Sequence, residues 1–480
     1  MEAISPADII RRIQTENPWW GSDHTIGSPY REMKPRPYFD LFLPLIKETR
    51  AVRRAVVLMG PRRVGKTVMI YHTIQQLINE GVSPKSICYF SVDSPVYNGL
   101  SIEKLLGYYG EASGVDYKSD EVFAFFDEIQ YLRKWETSLK SIVDSYLNIR
   151  VIASGSAAAA LRMKSQESGA GRFTDFLLPT LTFYEYMYLL EKGGLFEAPN
   201  EGEPGRMFFL AKNIEIVNEH FLHYLNYGGY PEVIFSPQIK SNPSRFIKSD
   251  IIDKVLLRDL PSLYGIKDIQ ELNSLFTALA FNTAKEVSLR ELSQNSGVAK
   301  NTIKRYIQYL EAAFLIKIVH RIDHSAKRFS RANFFKVYLT NPSMRAALFS
   351  PIKEDDGIIG SLAETAVFSQ WFHSSDTTLY YARWDDGEVD LVTLDAEQKV
   401  NWAVEVKWSD RPCGNIQELK GLISFCRANK LNKVLVTSKT GIVKKGLPDI
   451  ELEFIPTSLY CYTVGYNIFH GKKHSVSKEK

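Results

Sequence analysis

The 480-residue chain has only four cysteines, Cys88, Cys413, Cys426 and Cys461, and they lie far apart. No pair has the spacing of a metal-binding or redox motif, which argues against a cysteine-ligated zinc site and points to thiols in a reducing compartment. No apolar run approaches bilayer-spanning length and no basic-then-apolar leader opens the chain. The expectation is therefore a cytoplasmic protein with no membrane partner. A large excess of charge of one sign is lacking too. With a net charge of +4, contact with nucleic acid would have to come from a local patch rather than an overall field. What remains is ordinary for a soluble globular protein, 45% hydrophobic and 24% charged, and the length points to roughly three domains.

The chain is organised around Gly60-Pro61-Arg62-Arg63-Val64-Gly65-Lys66-Thr67. Before it stands the short apolar run Ala55–Met59, which reads as a strand buried on both faces. After it, Val68–Ile78 repeats apolar residues at helical spacing and stops at Gly81. Strand, glycine loop with Gly-Lys-Thr, and helix together make a phosphate-binding P-loop. Gly60 and Gly65 let backbone N–H groups turn towards phosphate oxygens, and the helix adds the positive end of its dipole. Lys66 is expected to reach the terminal phosphates of ATP, and the Thr67 hydroxyl to ligate Mg²⁺.

Further along, Glu121–Gln130 is an apolar run that ends in Asp127-Glu128. In a Walker B strand, Asp127 would hold Mg²⁺ through water and Glu128 would orient the attacking water. Between the two motifs lie a second strand, Ser86–Asp93, and a helical stretch read as poor in apolar residues. Ile149–Ser156 is another buried strand, placed where ATPases with an additional strand carry a polar γ-phosphate sensor. Ser154 or Ser156 fits that slot, although Ser-Gly-Ser is equally good turn material. Upstream, Trp19-Trp20 reads as a buried anchor with base stacking as the alternative, and Tyr38–Ile46 as an amphipathic helix beside the nucleotide fold.

Gly60–Thr67, Phe126–Gln130 with Trp135, Ser154–Ser156, and Gly171-Arg172 before Leu178-Pro179 together resemble a known family. It is that of predicted prokaryotic AAA-type ATPases carrying a C-terminal domain of unknown function, and the likeness spans Asn17 to Tyr186. The resemblance implies an α/β P-loop core, Mg²⁺-dependent ATP hydrolysis, and regulation by a homo-oligomer or a partner protein. It makes Arg172 a candidate γ-phosphate-sensing arginine, with a solvated loop arginine as the alternative.

The C-terminal half holds two further patterns. Val287–Leu310 reads as a helix-turn-helix, with Gly297 in the turn and Ile303, Tyr306, Ile307 and Leu310 on the buried face of the second helix. Lys300, Asn301, Lys304 and Arg305 are then exposed at the end that enters a major groove, and Phe314–Arg331 would form a wing. Winged helices bind DNA or dock proteins, and both readings stand. Beyond it, Asp390 on one strand and Glu405-Val406-Lys407 on the next share one sheet face by alternation, as do Glu388 and Asp390. This order resembles the PD-(D/E)xK restriction-endonuclease-like fold, which the C-terminal domain of the same ATPase family also shows. The resemblance gives Asp390, Glu405 and helix residue Glu364 as Mg²⁺ ligands and Lys407 as the group that positions water, for cleavage or for binding alone. The usual proline before the aspartate is replaced by Val389.

The expected division is an N-terminal segment packing on the core (1–50), a P-loop core (51–192), a helical lid (206–270), a winged helix (271–345), a nuclease-like domain (346–470) and a disordered tail (471–480). The expected function is an ATPase coupled to a DNA-binding or nuclease-like region. The alternative is an ATP-switched scaffold that grips a partner protein without cleaving DNA.

Overall fold

The computed structural model describes residues 4–48, 54–155, 171–199, 207–328, 334–374 and 377–471. Ser156, one of the two candidate sensor serines, and the tail beyond 471 lie outside them. The chain divides into two compact units, Met1–Pro179 and Thr180–Lys480.

The first unit holds helices α1 (Pro6–Glu16) and α2 (Phe39–Glu48), then strand β1 (Ala55–Met59), α3 (Lys66–Asn79), β2 (Ile87–Ser91), α4 (Ile102–Ser113), β3 (Val122–Asp127), α5 (Trp135–Ser145), β4 (Ile149–Gly155) and β5 (Phe173–Leu177). All five strands run parallel in the order β2-β3-β4-β1-β5. β1, β3 and β4 are buried along their whole length, which is why their sequences are continuous apolar runs rather than alternating ones. β4 sits between the P-loop strand β1 and the acidic strand β3, the place expected for an additional strand. One sheet face packs Ile9 and Ile13 of α1, Leu105, Leu106 and Tyr109 of α4, and Trp135, Leu139 and Ile142 of α5 into a single core. The stretch read as poor in apolar residues is thus an amphipathic helix whose apolar side lies inward. Trp19 is an anchor: it is fully buried, and both it and Trp20 donate their indole N–H to the Ile87 carbonyl.

The second unit opens with α6 (Phe183–Leu189), capped at Thr182 by a reciprocal Thr182–Glu185 capping box, and α7 (Ile214–Tyr227). Residues 247–264 form one helical stretch with π-type hydrogen bonding over Ile247–Asp253 and Val255–Asp259. Then come α8 (Ile269–Phe281), β6 (Glu286–Ser288), α9 (Leu289–Ser296), α10 (Lys300–Ala312), β7 (Ile316–Ile322), β8 (Phe334–Leu339) and α11 (Ile359–Trp371). The chain ends with β9 (Leu379–Trp384), β10 (Gly387–Leu394), β11 (Val400–Glu405), α12 (Lys420–Ala428), β12 (Lys433–Ser438), β13 (Val443–Gly446), β14 (Glu451–Pro456) and α13 (Thr457–His470).

These strands form one nine-stranded sheet, β13-β14-β12-β11-β10-β9-β7-β8-β6. The boundary expected between residues 345 and 346 is not a break in the fold. Parallel pairing of β7 with β9, Tyr380 beside His320, joins the strands around the helix-turn-helix to those of the acidic pattern. Within the sheet, β9, β10 and β11 form an antiparallel meander and β12 lies parallel to β11. α12 buries Leu422, Phe425 and Cys426 against Val392, Ala403, Val434 and Val436.

Candidate nucleotide-binding site and the acidic cluster of the second unit

The loop after β1 is shaped by its glycines. A Cβ on Gly60 would meet the Leu178 carbonyl oxygen at 2.1 Å, so no side chain fits there. Gly65 has φ +94°, a conformation that L side chains rarely adopt. α3 begins directly after it at Lys66, so the first N–H groups of a 14-residue helix open onto the loop. The buried Lys66 ammonium lies back against the loop, donating to the carbonyls of Gly60 at 3.1 Å and Pro61 at 2.8 Å. Arg36 braces the loop from outside its motif, with one guanidinium nitrogen donating to both Val64 O and Pro179 O at 2.9 Å.

Parallel strand order brings the second motif alongside. Asp127 ends β3, and its carboxylate accepts from Thr67 Oγ1 at 2.7 Å and from the Tyr89 hydroxyl at 2.9 Å. Ser154 sits at the end of the intervening β4, fully buried, and donates to the other oxygen of Asp127. Its Oγ also accepts from the Glu128 backbone N–H at 3.3 Å. Glu128 takes a left-handed backbone, φ +58°, and its carboxylate accepts from Gln130. Burial and the neighbouring Asp127 charge push the Tyr89 hydroxyl far up, so it stays a donor.

This donor set fits ATP and Mg²⁺: a collared glycine loop, a helix N-terminus, one lysine, and a hydroxyl–carboxylate pair backed by a serine. The structure brings together Gly60, Lys66, Thr67, Asp127, Glu128 and Ser154. It does not bring Arg172. β1 and β5 are parallel, Ala55 pairs with Phe173, and Met59 pairs with Leu177. Arg172 therefore stands at the far end of the sheet, about 16 Å of strand away from the P-loop end. There its Nε lies 2.5 Å from Asp144 Oδ1, half exposed. The structure thus places Arg172, the candidate γ-phosphate sensor, in an ion pair at the sheet end opposite the P-loop of its own chain.

In the second unit, Ser288 caps α9 by accepting from Glu291 N–H, and Gly297 turns the chain with φ +72°. Ile303, Tyr306, Ile307 and Leu310 are buried on α10, while Lys300, Asn301, Lys304 and Arg305 are exposed.

The acidic pattern assembles differently from the expected ligand set. Asp390 and Glu405 lie on neighbouring strands, Lys407 Nζ stands 2.6 Å from Glu405 Oε1 and 3.9 Å from Asp390 Oδ2, and Asp390 accepts from Val406 N–H at 2.9 Å. A second ammonium, Lys336 of β8, lies among the remaining carboxylates, 2.8 Å from Glu364, 2.6 Å from Glu388 and 3.5 Å from Asp390. Glu364 also accepts from the Tyr338 hydroxyl at 2.6 Å. Burial pushes the Glu364 carboxyl up to about 7, opposed by Lys336, and the Glu405 carboxyl up to about 8, with Asp390 adding to the rise. Glu405 Oε2 is buried without a partner. Among the described residues, no three acidic, histidine or cysteine side chains converge as metal ligands. Of the expected set Glu364, Asp390 and Glu405, Glu364 has one oxygen taken by both Lys336 and Tyr338.

Sequence reasoning missed Tyr89, Arg36, Lys336 and Tyr338. Only Lys336 carried a signal, a lone charge in the apolar strand Phe334–Leu339.

Sheet order, loop and the serine-backed aspartate are those of a P-loop nucleotide-binding fold. In agreement, residues 52–187 match the model of an AAA domain, and residues 218–356 match a domain of unknown function, DUF8612. An uncharacterised protein of Haemophilus influenzae is 22% identical over 80% of this chain and 88% of its own length. One from Methanocaldococcus jannaschii is 24% identical over 71% and 73%. Among solved structures, AMPPCP-bound DnaA from Aquifex aeolicus is similar at 15% identity and TM-score 0.28, covering 61% of this chain and 92% of that one. C. elegans PCH-2 is similar at 14% identity and TM-score 0.29, covering 47% and 66%, just under two thirds of its length. No helix among the described residues is long and apolar enough to cross a membrane.

Proposed function

We propose that the protein is a Mg²⁺-dependent ATPase of AAA type whose turnover is coupled to DNA held by its second unit. The observation that carries the ATPase reading is the hydrogen-bonded set Thr67–Asp127–Ser154 beside the Gly60–Lys66 loop. The loop N–H groups and Lys66 would hold the phosphates, and Thr67 and Asp127 would hold Mg²⁺, which neutralises charge developing on the phosphoryl oxygens. Glu128, next to Asp127 in the chain, would orient and polarise water, with Gln130 steering its carboxylate. Ser154 fixes Asp127 and the Glu128 backbone at once, which makes it the residue through which the β4 strand end can register the γ-phosphate.

DNA contact is supported by the exposed Lys300, Asn301, Lys304 and Arg305 on the leading half of α10. A salt titration tests it: phosphate contacts give a steep fall of affinity with salt, and a flat response rejects it. The second reading is an ATP-switched scaffold that binds a partner protein without cleaving DNA. It is favoured by the ion-paired state of the acidic cluster. Under it, ATP turnover is slow and indifferent to DNA, and partner binding is insensitive to salt.

A further inference from the structure

The second unit contains a cation of its own at the place where a nuclease-like site would take a metal. Lys336 is 3% exposed, and its strand β8 lies between β7 and β6 on the helix-turn-helix side of the sheet. Its Nζ nevertheless meets Glu364 of α11 and Glu388 and Asp390 of β10 at 2.8, 2.6 and 3.5 Å. The ring of Tyr381 stands 5.4 Å from the same nitrogen. A buried ammonium is costly unless paired and hydrogen-bonded, and these three carboxylates provide the pairing. The remaining carboxylate, Glu405, is paired through one oxygen with Lys407. Its other oxygen has no hydrogen-bond partner, and among the described residues no group of three carboxylate, histidine or cysteine side chains is placed to hold a metal ion.

We infer that Lys336 is a built-in replacement for the divalent cation, so that the acidic cluster binds no Mg²⁺ and serves to lock β8 to α11 and β10. This rests on reading the β9–β12 layer as nuclease-like. It makes the second unit a binding module rather than a Mg²⁺-dependent nuclease, and it turns the expected metal ligands Asp390 and Glu364 into counter-ions of a lysine.

The test uses the full chain carrying Asp127→Asn to weaken the nucleotide site, with Mn²⁺ as probe and its binding counted by electron paramagnetic resonance. The expected result is the same Mn²⁺ stoichiometry with and without Asp390→Asn. A site present with Asp390 and lost in Asp390→Asn overturns the inference while leaving the nuclease-like reading intact. Lys336→Met, which removes the ammonium at similar length, is expected to gain one Mn²⁺ site that Asp390→Asn abolishes again. A folded Lys336→Met chain that gains no such site overturns the inference and the nuclease-like reading together. If Lys336→Met does not fold, the Asp390→Asn comparison decides alone.

Discussion

The hydroxyl of Thr67 donates to the carboxylate of Asp127 across 2.7 Å, joining the first turn of α3, which follows β1, to the end of β3 sixty positions on. β4 separates those strands, so the bond forms only because α3 starts at Lys66 and carries Thr67 over the sheet edge. The account predicts that Thr67→Ala lowers Mg²⁺-dependent ATP turnover by roughly a hundredfold, as removal of a preorganised polar group does. Stability should fall by only about 1 kcal/mol. A phosphate-release assay beside urea denaturation separates the two effects.

Ser154 is the third member of this set, and its loss has a different signature. Ser154→Ala removes a buried donor from Asp127 and the acceptor of the Glu128 N–H. Orphaning such groups costs about 1–3 kcal/mol. Turnover should fall while equilibrium ATP binding is kept, because the phosphate contacts of Gly60–Lys66 are untouched. Fluorescent-nucleotide titration next to a turnover assay checks this, and a parallel loss of binding would count against a sensing role.

Gly60→Ala places a methyl group 2.1 Å from the Leu178 carbonyl oxygen. Relieving that clash moves the loop or the end of β5, at about 1–3 kcal/mol of overpacking strain. Nucleotide affinity should drop with it. Unchanged affinity by calorimetry would mean that the loop geometry is not what holds the phosphates.

How much of this was legible in the chain differs between the two units, for physical reasons. Strand, loop and helix around Gly60–Thr67 are local, and Gly60 and Gly65 punctuate them, so their order can be read directly. Asp127 and Ser154 could be placed because parallel strands put their C-terminal ends on one edge. The place of Arg172 could not be read because its neighbours Gly171 and Phe173 do not reveal which end of the sheet they occupy. That depends on pairing with Ala55, far away in sequence. Lys336 stands out in its apolar strand, but its partners could not be read for the same reason. Its partners lie in α11 and β10, and only the β7–β9 pairing brings them together.

A pH dependence follows from Glu16, buried on α1 with its carboxylate taking the Tyr97 hydroxyl at 2.7 Å and Arg12 Nε at 2.7 Å. Burial pushes its carboxyl above the ordinary 4.5, outweighing the downward pull of Tyr97 and Arg12. The folded chain thus holds the proton more tightly than the unfolded one. Its contribution to stability is fullest below the unfolded value and is lost as pH rises through the raised one. Glu16→Gln should flatten the fall in denaturation midpoint above pH 4.5. An unchanged slope would remove Glu16 as its source.

On α10, replacing Lys300, Lys304 and Arg305 with alanine together should make the slope of log affinity against log salt shallower. The change expected on duplex DNA is about 0.9 for each phosphate that these side chains no longer neutralise. All three are exposed, so folding should be unaffected, as circular dichroism would record. An unchanged slope would favour the protein-binding scaffold.

The most direct measurement is ATP turnover by purified wild type, Lys66→Ala and Glu128→Gln with Mg²⁺. The account predicts hydrolysis by the wild type, none by Lys66→Ala, and nucleotide binding without turnover by Glu128→Gln. Hydrolysis by Lys66→Ala at the wild-type rate would contradict it.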